Sequence, residues 1–169
     1  MSNIIHKNIK TPNKSLRRRD AKKNNNSFIY TIHYAVEMYN NLTDYLTYTE
    51  DSIEGDFFTI IKPGIYSITA SLIDSSSGNS FSIVRNFNID LNDFNSTDKV
   101  YLINSPNKVL VSKNHNLSNG SGWADTIHWT GHLDSGDVVR IYMESNSVYS
   151  TGNETGYVTF LDVVLIHEN

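Results

Sequence analysis

The chain has 169 residues and a mass of 19.2 kDa, one domain's worth with a short appendage. It contains no cysteine, which excludes disulfide scaffolds, zinc ribbons, redox pairs and cysteine nucleophiles. The net charge of −4 is split unevenly, with +7 on residues 1–27 and −11 on residues 28–169. A basic arm precedes an acidic domain, and such arms are commonly interaction segments. No stretch reaches the roughly 18 apolar residues that span a bilayer. The opening Met1-Ser2-Asn3-Ile4-Ile5-His6-Lys7 lacks the apolar run of a secretory signal. The expectation is a protein made in the cytoplasm without a signal peptide, with no membrane partner.

In chain order, residues 1–27 come first, the basic arm. Its apolar residues are Ile4, Ile5, Ile9 and Leu16, set among Lys7, Lys10, Lys14, Arg17, Arg18, Arg19, Lys22 and Lys23. That is too little apolar area to offset the entropy of ordering, so the arm is not expected to fold alone. Residues 28–169 form the head. Phe28, Tyr30, Ile32, Tyr34, Val36 and Met38 alternate, as in a long strand with one buried face. Residues 45–49 and 56–61 follow as shorter strands. Lys62-Pro63-Gly64 reads as a type II turn in which Gly64 accepts a positive φ. Residues 65–73 and 81–89 alternate on either side of a Ser/Gly turn. Short strands are expected at 99–103 and 109–111, and longer ones at 126–133, 138–143 and 157–166, with no amphipathic helix. About ten short strands with regular turns predict an all-β antiparallel sandwich.

The last strand is apolar on both faces. Tyr157, Leu161, Val163 and Leu165 occupy one, and Val158, Phe160, Val164 and Ile166 the other. A sandwich strand normally turns one face to water, so the second face calls for a cover, either a loop or another copy of the chain. Asp162 is an acid in the middle of that face, and it must pair, protonate or hold a cation. Arg140 and Lys62 are the candidate partners. The first head strand shows a milder second face, with Ile29, Thr31, His33 and Ala35.

Three segments together resemble the complement-type globular head of the tumour-necrosis-factor-like jelly-roll superfamily. They are Phe57-Phe58-Thr59-Ile60-Ile61-Lys62-Pro63-Gly64-Ile65-Tyr66-Ser67-Ile68, then Leu133-Asp134-Ser135-Gly136-Asp137-Val138-Val139-Arg140-Ile141, then the C-terminal strand. The order and spacing agree across residues 28–167. Phe160-Leu161-Asp162 departs from the family's small residue in the last strand, and no Gly-x-y stalk is present. The resemblance implies a jelly roll, a homotrimer and no enzymatic activity. The trimer interface is assigned to Ile29, Ala35, Val158, Phe160, Asp162, Val164 and Ile166.

Other candidates have plainer readings. His128 and His132 share a strand face and, with Asp134, resemble a metal site, but surface histidines beside Trp129 account for them as well. The cupin His-x-His pair is absent. Asp134 and Asp137 bracket Ser135-Gly136, which is turn chemistry before it is glycoside hydrolysis or calcium binding. Trp123, Trp129, Tyr149 and Tyr157 are aromatics suited to sugar stacking or to packing. No cofactor is expected, and the basic run lacks interleaved aromatics for base stacking, which argues against nucleic acid. The leading expectation is a virion surface protein, a head fibre or capsid decoration whose head faces outward for host attachment. Its arm would anchor it through Ile4, Ile5, Lys7, Ile9, Lys10, Lys14, Leu16, Arg17, Arg18, Arg19, Lys22 and Lys23, and a host glycan or protein would be its partner. The alternatives are a bacterial surface module binding carbohydrate or protein, and a small capsid-building vertex jelly roll.

Overall fold

A computed structural model of the chain describes residues 14–23, 30–51, 56–74, 79–86, 109–115, 123–143 and 159–169. Ten strands and no helix occur among them. They are β1 (Ser15–Lys23), β2 (Tyr30–Asn40), β3 (Leu46–Thr49), β4 (Phe57–Ile60), β5 (Gly64–Asp74), β6 (Asn79–Arg85), β7 (Val109–His115), β8 (Trp123–Leu133), β9 (Val138–Met143) and β10 (Phe160–Glu168). The predicted strand at 99–103 lies outside the described residues.

All pairings are antiparallel. One sheet runs β2–β1–β10–β5–β8, and the other runs β3–β4–β9–β6–β7. Strand β2 joins the two, because Tyr30 and Thr31 pair with Met143 and Tyr142 of β9 before the strand passes to β1. The inner faces supply one core by simple alternation. Tyr66, Ile68, Ala70 and Leu72 of β5 and Leu161 and Val163 of β10 point inward from the first sheet. Phe58, Ile60, Phe81, Ile83, Val139 and Ile141 meet them from the second. The expected all-β antiparallel sandwich is the fold.

The charge boundary and the strand boundary of the chain do not coincide. Residues 15–23 belong to the basic arm by composition, yet they form a strand with neighbours on both sides, β2 and β10. Leu16 is fully buried. The segment has little apolar area of its own, but here two flanking strands satisfy its backbone and the core covers its single leucine.

Two local expectations change. Gly64 is not in the positive-φ region; among the described glycines only Gly136 is, at φ 90°. Gly64 instead opens β5 against β10, where a Cβ would stand 2.6 Å from the His167 carbonyl oxygen. Met38, expected on the buried face, is 44% exposed. A register shift opposite Arg17/Arg18 pairs Glu37 with Arg18 and Tyr39 with Arg17, leaving Met38 as the extra residue of a bulge.

If β1 is integral, deleting residues 1–23 should abolish the cooperative unfolding transition followed by circular dichroism. Leu16→Ala should cost about 2–5 kcal/mol in urea denaturation. An unchanged midpoint for either variant would contradict this placement.

Candidate self-association face

The outer face of the first sheet follows from the register, because residues directly opposite in an antiparallel pair share a face. One row crosses five strands: Tyr39, Arg17, Asp162, Thr69 and His128. The next row on one side places Val164 opposite Ser15 and Ser67. On the other, Phe160 stands opposite Arg19 and Ser71. Down β10, Leu161 and Val163 point into the core, while Phe160, Asp162 and Val164 are half-buried on the outside and Ile166 is 59% exposed.

Asp162 is held by Arg17, whose Nε lies 3.3 Å from Oδ1. The Arg17 guanidinium also lies over the Phe160 ring, 4.9 Å from its centroid. Oδ1 is buried, and the contact lacks hydrogen-bond geometry. Burial pushes the Asp162 carboxyl up from the usual carboxylate range, and the Arg17 charge opposes this. At the end of the row, His128 is bonded through both ring nitrogens, Nδ1 to the Thr69 hydroxyl at 2.9 Å and Nε2 to the Thr130 hydroxyl at 3.1 Å.

Beneath this face lies a buried polar network. The inward side chain of Arg18 donates from Nε to the Tyr34 carbonyl at 2.9 Å, from Nη1 to Glu37 at 3.3 Å and from Nη2 to Glu50, and it stacks on the Tyr48 ring at 4.2 Å. Asp56 accepts from His33 Nδ1 at 2.8 Å, from the Tyr34 N–H at 2.8 Å, from the Tyr48 hydroxyl at 2.5 Å and from the Asp51 N–H at 3.2 Å. These two residues tie β1, β2 and β3 to the connection that enters β4. The Tyr34 hydroxyl has no hydrogen-bond partner among the described residues, and Tyr34 lines a narrow inter-sheet pocket with Ile32, Phe58, Val139 and Leu161. Burial, and then the Asp56 carboxylate, push both the Tyr34 and Tyr48 phenols well above their ordinary value of 10.0.

No protein-family model matches the chain, and no curated protein matches it. Solved structures do. The structure of murine APRIL shares 12% sequence identity, covers 91% of this chain and 99% of its own, and superposes with a TM-score of 0.57. Eiger TNF from S. frugiperda shares 9% identity over 94% of this chain and 95% of its own, also at a TM-score of 0.57. The chain has the tumour-necrosis-factor-like jelly-roll fold.

On this jelly roll, Phe160, Asp162 and Val164 of the assigned trimer interface form one column on β10, and Ile166, the extra residue at the register shift between Leu165 and His167, is exposed beyond it. Ala35 lies on β2, and Ile29 and Val158 lie outside the described residues. Of the assigned anchor, Ile4, Ile5, Lys7, Ile9 and Lys10 lie outside the described residues. Arg19, Lys22 and Lys23 take positions on β1, where Lys22 is opposite His33 and Lys23 opposite Ile32. Lys14 pairs with Glu168 and stacks on Tyr45, Leu16 is core, and Arg17 and Arg18 bind acids of the head. The partner of Asp162 is therefore Arg17 and not Arg140 or Lys62, because β1 lies beside β10.

His132 Nδ1 lies 3.6 Å from Asp134, and its Nε2 is 2.5 Å from the Asn169 side-chain amide. Among the described residues no group of three or more His, Asp or Glu is arranged to hold a metal. Asp137 is buried turn chemistry: it accepts the Asp134 N–H at 2.8 Å and the Asn86 amide at 2.6 Å, with Arg85 at 3.5 Å. Trp129 packs against the core, Trp123 lies on β8, and Tyr149 and Tyr157 lie outside the described residues. The network of Arg18, Tyr34, Tyr48 and Asp56 has no counterpart in the sequence reading.

The two phenols predict opposite outcomes. Tyr34→Phe removes a buried hydroxyl that has no partner among the described residues, so stability should stay level or rise; Tyr48→Phe breaks a bond to a buried carboxylate and should cost about 1.5–3 kcal/mol. Both phenols are raised in the folded protein, so they stay protonated while the unfolded chain loses protons. Stability should therefore fall as pH rises through about 10, with Tyr34→Phe lessening the fall. Chemical denaturation of both variants across that range checks this. A large loss in Tyr34→Phe, or none in Tyr48→Phe, would contradict the network.

Proposed function

We propose that this protein is a non-enzymatic, homotrimeric jelly-roll head displayed on the surface of a virion, as a head fibre or capsid decoration, and presenting a binding surface to a host glycan or protein. The observation that carries the trimer is the outer face of β10. There Phe160 and Val164, with the exposed Ile166 just beyond them, are apolar on a sheet whose inner face already packs the core. The likeness of fold to murine APRIL and Eiger TNF supports a head that works by binding. The virion location is inferred from the basic segment that precedes an acidic one.

The anchor is narrower than composition alone implies. Lys14, Arg17 and Arg18 are engaged by groups of the head, so attachment falls to residues 1–13, with Ile4, Ile5 and Ile9 as the apolar contacts and Lys7 and Lys10 as the charges. Docking of this kind depends weakly on salt, because two cations contribute little once screened.

The full chain should sediment at three times its 19.2 kDa mass, and Val164→Asp should dissociate it, since an unpaired charge at an interface costs several kcal/mol. A monomer at micromolar concentration would overturn the trimer. Deleting residues 1–13 should leave a folded trimer that no longer joins the particle, and normal incorporation of that variant would overturn the anchor.

A further inference from the structure

Two acidic heads repel each other. The folded head includes β1, so residues 14–169 carry −6, and a copy can approach another closely only where that charge is neutralised. The row through Asp162 is such a place. Arg17 offsets Asp162, and the flanking outward positions on β5 and β10 are Ser67, Thr69, Ser71, Phe160 and Val164, none of them charged. The face continues at its margin into exposed apolar residues, Tyr39 at 42% and Ile166 at 59%. A face whose one acid is offset by Arg17, with Arg19 a further basic position in the row of Phe160 and exposed apolar residues at its margin, suits another copy of this chain, whose net charge is negative.

Asp162 is the weak point of such a contact. Its side chain retains 26% exposure, and water on that side is what stabilises the carboxylate besides Arg17. Arg17 meets Oδ1 without hydrogen-bond geometry. Covering the face removes the remaining water. The groups that face the carboxylate are Arg17 on β1 and Thr69 on β5, with His128 one strand further on β8, already bonded to Thr69. Arg19, two residues along β1 on the same face, stands opposite Phe160 rather than Asp162.

We propose that a second copy packs on this face, and that Asp162 takes up a proton as it is covered, so that the head assembles more tightly as pH falls. This rests on the trimer reading above. The direction of the Asp162 shift in the isolated head agrees: burial raises it, more than Arg17 lowers it. The sign follows. A carboxyl raised above its free value favours the state that buries it when protonated, and that advantage is lost as pH rises through the raised value.

The experiment is sedimentation equilibrium of the full chain from about pH 5 to about pH 8, for wild type, Asp162→Asn and His128→Asn, with the slope of the association constant read as about one proton taken up per copy. Wild type should tighten as pH falls. Asp162→Asn, which keeps the shape and removes the charge, should associate severalfold more tightly at the alkaline end and lose most of the slope. His128→Asn should keep it. Association that weakens on acidification, a full slope in Asp162→Asn, or a slope lost in His128→Asn would each overturn the proton switch while leaving the trimer in place. Monomers throughout, in wild type and Asp162→Asn alike, would overturn the trimer reading and the switch with it.

Discussion

The insertion of β1 between β2 and β10 is the constraint on which the rest of the structure depends. A strand with partners on both sides must turn alternate residues to opposite faces, and this one has a single aliphatic residue of any size to offer. Leu16 goes to the core. Arg18 must then go inward too, and Arg17 outward. An arginine sent into a sandwich needs acceptors and a flat surface, and the Tyr34 carbonyl, Glu37, Glu50 and the Tyr48 ring supply them. Arg17 in turn meets the one acid on the outward side of β10 within the sheet.

These polar groups are weak evidence for stability as such. Taking a guanidinium and a carboxylate out of water costs several kcal/mol, and the pairing mainly returns it. Their effect is on register. A slip of one residue in β1 would turn Arg18 to solvent, bring Arg17 into the core and remove Leu16 from it. Asp56 acts alike on β2 and β3: four donors converge on one buried carboxylate, and each comes from a different residue. Loss of any one element leaves donors or acceptors stranded in the interior.

Much of this fold is legible in the sequence because most strands alternate plainly. Tyr66, Ile68, Ala70 and Leu72 are buried as their period-two pattern demands, and Leu161, Val163 and Leu165 likewise. The outward apolar residues Phe160, Val164 and Ile166 were also visible, since a strand apolar on both faces has an excess to explain. β1 was not. Its run Ser-Leu-Arg-Arg-Arg-Asp-Ala-Lys-Lys has no apolar alternation, because its inward positions include a charged residue whose partners are distant in sequence. The Asp162 partner was missed for the same reason. A bulge hid the exposure of Met38, and Gly64 serves close backbone approach, which sequence cannot separate from a turn.

The functional account follows from the same strand. A basic segment drawn into the sheet leaves a shorter, more apolar stretch ahead of it, and it places a cation beside the one outward acid of the candidate association face. Native-state hydrogen exchange of the β1 backbone amides tests this most directly, because a central strand opens only with the sheet around it. Protection of the amides of residues 16–19 comparable to that of residues 161–165 is the predicted result. Exchange of the β1 amides at the rate of an unstructured peptide, with β10 still protected, would contradict it.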